Sequence, residues 1–148
     1  MQTRVLFYKA RGQWQDVAVR ALTGADYSHC ELIAPWSEGP LYSTIGASKR
    51  DGSKVRRAYI DTRSGHWDVI TFPCDPEAAW GRAMPLLGKP YDQFGAVLSA
   101  TAFARQRPGK WFCSELVAHA LGYREPWEFS PGMLAASGQS KQVIYEDQ

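Results

Sequence analysis

The sequence predicts an α+β domain, an antiparallel sheet with helices packed on one side. Three observations predict it. Short runs rich in β-branched and aromatic residues, bounded by Gly, Pro or Asp, recur between residues 5 and 72. Apolar residues at helical spacing recur at 14–23, 75–87 and 112–121. Sheet and helices each need an apolar partner face, and laying the helices on one side of the sheet is the economical packing.

The elements follow in order. Val5 to Tyr8 reads as a first strand. Trp14 to Thr23 reads as a helix, with Trp14, Val17, Ala18, Ala21 and Leu22 on one stripe and Gly24 closing it. Tyr27 to Ala34 reads as a strand between Gly24-Ala25-Asp26 and Pro35. Period-two alternation puts His29, Glu31 and Ile33 on one of its faces, and Cys30 and Leu32 on the other. Leu41 to Ile45 and Val55 to Ile60 read as strands around a turn in which Asp51-Gly52 is a hairpin signal. Trp67 to Phe72 alternates as a strand that Pro73 ends. Asp75 to Leu87 reads as a helix with Pro76 at its first position and Pro85 bending or ending it. Phe94 to Ala104 reads as another helix. In Trp111 to Gly122, apolar residues at 112, 116, 117, 120 and 121 form one helical stripe. The tail from Trp127 reads as a loop with a short helical piece near Met133.

Composition fits one domain spanning 1–148, since 148 residues with 45% hydrophobic and 22% charged can bury a real core. No linker, repeat or low-complexity tract interrupts it. Met1 to Lys9 lacks the apolar run of a signal peptide, and no stretch approaches the roughly 20 apolar residues of a membrane span. The expectation is synthesis in the bacterial cytoplasm without an export signal, and no integral membrane association. A net charge of +2 is too small to mark a nucleic-acid binder. Three cysteines without CxxC spacing and three scattered histidines argue against a disulfide framework and a metal site, and no cofactor is expected. Positive charge does cluster at Lys49, Arg50, Lys54, Arg56 and Arg57, either as a solvated hairpin or as a rim that attracts an anionic polymer.

Cys113 carries the chemistry. It falls at the first turn of the last predicted helix, after the loop Arg105 to Lys110. Unpaired N–H groups and the helix dipole there favour a thiolate. The competing reading is a small buried hydrophobe, the commonest fate of a free cysteine. A histidine inside a strand, His29, supplies a base; its alternative is a hydrogen-bonded structural role. A cysteine at a helix start facing a strand histidine is also the arrangement of papain-type enzymes.

Ser28-His29-Cys30-Glu31-Leu32, Gly88-Lys89-Pro90-Tyr91-Asp92 and Phe112-Cys113-Ser114-Glu115-Leu116, in that order, resemble the circularly permuted (YiiX-like) branch of the NlpC-type papain-like cysteine peptidases. In unpermuted members the cysteine precedes the histidine. Asp51 to Arg56 and Ser130-Pro131 look like versions found in tailed phages and prophages. The resemblance spans most of the chain. It implies a permuted papain-like NlpC-type fold and a thiol hydrolase in which Cys113 attacks an amide and His29 carries the proton. The substrate it implies is a peptidoglycan stem peptide, cleaved in a phage tail or during lysis. Phage tail proteins would then be partners, and a virion would carry the protein to the wall.

A third group must hold the imidazole. The resemblance puts it on the strand after the histidine strand, at about Ser43, where serine departs from the usual His, Glu or Asn. Glu31 is the rival because it shares a strand face with His29. His66, beside a turn, is weaker, and His119 lies more than a turn and a half beyond Cys113 on another helix face. By resemblance, the Tyr91 phenol lies in the cleft as an oxyanion or substrate group. Two other readings use the same residues: a lecithin:retinol acyltransferase-like lipid enzyme, and a non-catalytic phage structural or assembly module.

Overall fold

The computed structural model describes residues 1–9, 27–92, 95, 96, 99 and 108–143. Its centre is a six-stranded sheet of β1 (Thr3–Tyr8), β2 (His29–Ile33), β3 (Leu41–Ser48), β4 (Lys54–Asp61), β5 (Trp67–Phe72) and β6 (Ser140–Val143). The spatial order is β4-β3-β2-β1-β5-β6, and every neighbouring pair is antiparallel. Helices α1 (Pro76–Ala83), α2 (Cys113–Ala120) and α3 (Pro131–Ala136) follow the fifth strand.

Strand alternation divides the apolar residues between two faces. Val5, Phe7, Cys30, Leu32, Ile45, Ala47, Val55, Ile70 and Phe72 form the main core with Trp80 of α1, Leu116 and Val117 of α2, and Leu134 of α3. Leu6, Ile33, Trp67 and Val69 make a smaller cluster on the opposite face. The described helices therefore pack on one side of the sheet, as the sequence predicts.

Several boundaries differ from expectation, each for a local reason. Asp51-Gly52 does not make a two-residue hairpin. The strands end at Ser48↔Lys54, and a short helical turn, Arg50–Ser53, joins them with Gly52 at φ 84° and Ser53 at φ 54°. The second predicted helix stops at Ala83, and Pro85 falls in a 3-10 turn, Met84–Leu86. Asp75 caps α1 by accepting the Ala78 N–H at 2.9 Å. The tail adds β6, whose polar sequence Ser-Lys-Gln-Val gives no strand signal. The predicted helix Trp14 to Thr23 lies outside the described residues, as does most of Phe94 to Ala104. Of the latter, Gly95 N–H is capped by the Asp92 carboxylate at 2.8 Å, and Ala96 and Ser99 donate to Asp92 and Gly95 carbonyls.

Candidate active site

Cys113 is the first residue of α2, reached from Phe112 in an extended conformation. Its N–H is one of the helix-start donors with no partner within the helix. Two contacts fix this start. The Glu115 carboxyl accepts the Phe112 N–H at 3.4 Å. Upstream, Trp111 donates to the Pro90 carbonyl at 2.9 Å and accepts the Asp92 N–H at 2.8 Å. This parallel bridge lays Tyr91 beside Trp111, two residues before the cysteine. The Pro90 segment is itself tied to the β3–β4 end of the sheet, because Tyr91 N–H reaches Ser53 O and Val55 N–H reaches Lys89 O, both at 2.9 Å.

His29 opens β2, and α2 packs across that strand. Its Nε2 lies 2.7 Å from Glu31 Oε1, the contact that side chains two apart on one strand face can make. Glu31 is completely buried. Two further groups hold its carboxylate: the Arg56 guanidinium, with Nη2 at 2.6 Å and Nη1 at 2.9 Å, and the Thr44 hydroxyl at 3.2 Å. Arg56 also donates to the Gly46 carbonyl at 3.1 Å. Gly46 is needed here, because a Cβ at that position would collide with the Glu31 carboxylate.

The Cys113 sulfur is buried in the core cluster that also holds Cys30. Cys30 is the largest influence lowering its pKa. Burial opposes, and the charge and hydrogen bond of His29 reinforce, leaving the thiol well below the usual range. Burial alone would lower the His29 pKa, but the neighbouring thiolate and the Glu31 carboxylate outweigh it and lift the pKa to about 10. Burial would raise Glu31, yet its bond to His29 and the Arg56 guanidinium hold it below the usual value. Cys30, fully buried, is pushed well up and stays a thiol. These shifts run in the directions that favour a thiolate at Cys113, a charged ring at His29 and an ionised Glu31, and Glu31 engages the Nε2 of that ring.

Ser43, expected as the orienting residue, is placed elsewhere. The Ala34 N–H donates to the Ser43 carbonyl at 2.9 Å, so Ser43 lies beside a residue five positions past His29. That is roughly 16 Å along the sheet. Its hydroxyl accepts from Arg57 at 3.1 Å instead. The strand after β2 was identified correctly, but the register carries Ser43 away from the imidazole. His66 stands edge-on to Tyr8, two strands from His29. His119 packs on the Trp111 ring at 5.1 Å. The basic cluster splits. Arg56 turns inward to Glu31, Arg57 lies over the rings of Trp36 and Trp80, and Lys49 and Lys54 are exposed.

Sequence reasoning missed the role of Arg56 at Glu31 and the buried Ser28 hydroxyl. Alternation along β4 could have separated Arg56 from Val55 and Arg57, but not named its partner. Cys30 lies on the face away from His29, as alternation predicts, in the core that α2 covers. Ser28, immediately before His29, has a buried hydroxyl with no hydrogen-bond partner.

No family model and no curated protein sequence matches this chain. Among solved structures, it is similar to the metalloprotein YiiX of Escherichia coli O157:H7, with a TM-score of 0.53 and 21% identity. The match covers 84% of this chain and 68% of that one. The fold is therefore YiiX-like. Among the described residues of this chain, no group of three or more His, Cys, Asp or Glu side chains is arranged to hold a metal ion. The Glu31 carboxylate is already taken up by His29, Arg56 and Thr44. The described residues therefore do not fit a metal.

Proposed function

We propose that this protein is a thiol hydrolase of the circularly permuted papain-like type, with Cys113 as nucleophile, His29 as proton carrier and Glu31 as orienting group. The observation that carries this reading is that the His29 ring is bonded to a fully buried carboxylate held by Arg56, on the strand over which the helix that begins at Cys113 packs. A histidine held by a buried acid beside a helix-start cysteine is the arrangement a thiol hydrolase needs.

The thiolate attacks an amide carbonyl, and the carbonyl oxygen becomes an oxyanion. The backbone N–H of Cys113 is the main donor to it, and one such donor can be worth about 3 kcal/mol. The Tyr91 phenol and the orphan Ser28 hydroxyl are further donors for substrate, the latter because a buried hydroxyl without a partner costs stability unless a ligand uses it. His29 gives its proton to the leaving amine and then takes one from the water that hydrolyses the thioester. Glu31 keeps the ring in place and its charge favourable throughout.

The peptidoglycan stem peptide is the proposed substrate, supported by the resemblance of Gly88 to Asp92 to the peptidase side of the superfamily. A phage setting, with delivery to the wall by a virion, is the matching proposal for location. The test is to incubate the protein with muropeptides and with phospholipid vesicles and to identify products by mass spectrometry. Cys113-dependent amide cleavage in muropeptides is expected. Release of fatty acid alone would convert the reading to the lipid enzyme, and inertness toward both to the structural module.

A further inference from the structure

Strand β4 is an outer strand of the sheet, with β3 on one side only. Its register pairs Val55 with Ala47, Arg57 with Ile45 and Tyr59 with Ser43. Val55 turns its backbone away from β3, since its N–H reaches Lys89 O and its carbonyl takes the Gly88 N–H, both at 2.9 Å. Backbone groups alternate sides along an antiparallel strand, so Arg57, Tyr59 and Asp61 also point theirs off the edge. The Gly88 to Tyr91 segment takes up this edge as far as Val55, and beyond it no described residue does. The side chains along the open stretch share the face of Val55, the face that the helices cover elsewhere. Arg57 is held there. Its guanidinium lies 5.9 Å from the Trp36 ring and 5.5 Å from the Trp80 ring, and it donates to the Ser43 hydroxyl at 3.1 Å. The two rings brace each other edge-on at 5.2 Å. Among the described residues no carboxylate pairs with Arg57, whereas its neighbour Arg56 is bound to Glu31. Around it Tyr59 is 74% exposed and Trp36 60%.

We propose that the open edge of β4 from Arg57 to Asp61 takes up an extended, acidic segment of a partner protein as an added strand, with Arg57 reading a carboxylate on that segment. The unpaired N–H and C=O groups of Arg57, Tyr59 and Asp61 supply the main-chain bonds, and side chains on the helix-side face supply selectivity. An acidic residue opposite Arg57 meets a guanidinium already oriented by two rings, so a charge-assisted bond forms with little ordering left to do. A residue two positions away stands opposite the exposed Tyr59 ring and is apolar. A second copy of the chain fits less well. In a symmetric pairing centred on Tyr59, Asp61 would stand opposite Arg57, but that carboxylate is already bound by its own Arg63, through Nη2 at 2.6 Å and Nε at 3.0 Å. A sugar would use the rings and leave the backbone edge unpaired. The site lies toward the end of β2 and β3 remote from His29, and the inference does not depend on the chemistry proposed for Cys113.

The test is a nuclear magnetic resonance titration of the nitrogen-labelled full chain with the peptide acetyl-Thr-Thr-Val-Thr-Glu-Thr-amide. Paired antiparallel, its valine faces Tyr59 and its glutamate faces Arg57. The backbone amides of Arg57, Tyr59 and Asp61 and the Trp36 indole should shift together, with saturation at millimolar peptide. Exchanging the glutamate for lysine should weaken binding about tenfold or more. Methylating the valine nitrogen, which removes the donor to the Tyr59 carbonyl, should abolish it. Arg57→Ala should weaken binding of the glutamate peptide to the level of the lysine one, and the two modified peptides decide by themselves should that variant fail to fold. Absence of shifts on β4, or equal binding of the lysine or methylated peptide, overturns the inference. So does tri-N-acetylchitotriose shifting Trp36 where the peptide does not, since the patch then reads a sugar. Shifts on β4 that grow with protein concentration alone, with a dimer in sedimentation, would assign the edge to a second copy and overturn it as well.

Discussion

Two buried glutamates of the candidate site have pKa values shifted in opposite directions. Glu31, at 0% exposure, sits among His29, Arg56 and Thr44, which hold its pKa below the usual carboxylate value. Glu115, at 1% exposure on the first turn of α2, receives one backbone N–H. Burial raises its pKa, the Phe112 N–H opposes, and the nearby Asp92 carboxylate adds to the rise, giving about 8. The same side chain is thus pushed toward the anion beside the imidazole and toward the neutral acid at the start of α2. A second negative charge two residues from Cys113 would raise the thiol's pKa; neutrality at Glu115 avoids that. Burial does not decide the charge of a carboxylate; its donors do.

Removing the charge at Glu31 is the sharpest way to break this contrast. Glu31→Gln keeps the shape but loses the bond that holds the imidazolium, and turnover should fall by about two orders of magnitude or more. It also leaves the Arg56 guanidinium, only 12% exposed, without its anion, which should cost roughly 3–5 kcal/mol of stability. Muropeptide turnover and urea unfolding check both. Gly46→Ala should act in the same direction by displacing the carboxylate. Wild-type activity in Glu31→Gln would remove Glu31 from the site.

The next effect is in the pH profile of thiol reactivity. Because the Cys113 thiol is depressed and His29 is lifted to about 10, the ion pair exists between these two values. Iodoacetamide labelling of Cys113 should be flat through neutral pH and should fall only in acid, where the thiolate gains a proton. Cys30 and Cys74 should label later. In His29→Ala the acid-side midpoint should move upward and labelling at pH 7 should slow. A wild-type rate that rises through the ordinary thiol range near 8.5 would show that no ion pair forms.

How much of this was legible beforehand depends on the kind of signal. The positions of His29 and Glu31 on one strand face and of Cys113 at a helix start could be read because alternation in a strand and the first turn of a helix are local patterns. Strand register is not local. Ser43 sits on the right neighbouring strand but beside Ala34, and nothing within Leu41 to Ile45 states that offset. Arg56 looked like one of five surface cations, because its partner lies 25 positions away. Strand β6 was invisible because Ser140 to Val143 borrows its pairing from β5 rather than from its own residues.

Glu115 gives a smaller effect, with the opposite sign to Glu31. Its folded pKa of about 8 exceeds its usual value of 4.5, so the folded state holds a proton that the unfolded state has lost between those values. Stability from this group is therefore intact below 4.5 and declines as pH rises toward 8. Glu115→Gln should abolish that decline and gain on the order of 2–4 kcal/mol at pH 9, with little change at pH 4. Thermal unfolding at the two pH values measures it. An unchanged difference between wild type and variant across that range would mean that Glu115 is ionised like Glu31, and the contrast between them would fail.

The weakest effect belongs to the surface, where solvent screens what the interior does not. Lys54 is exposed at the start of β4, and Lys89 and Lys110 are exposed on segments tied to it through the Val55, Pro90 and Trp111 backbone bonds. These three cations border the segment leading to Cys113, and none touches the sulfur's partners. They should act on encounter with an anionic wall polymer and leave the bond-breaking step alone. Replacing all three with Ser should raise KM for anionic muropeptide polymers by roughly two- to fivefold at low salt, with kcat unchanged. The difference should shrink as ionic strength brings the screening length from about 30 Å at 0.01 M to about 8 Å at 0.15 M. A fall in kcat, or a KM change that survives high salt, would place these lysines in contact with the reacting bond. An effect on steering alone would keep the charges that matter to chemistry where the two glutamates are, inside the protein.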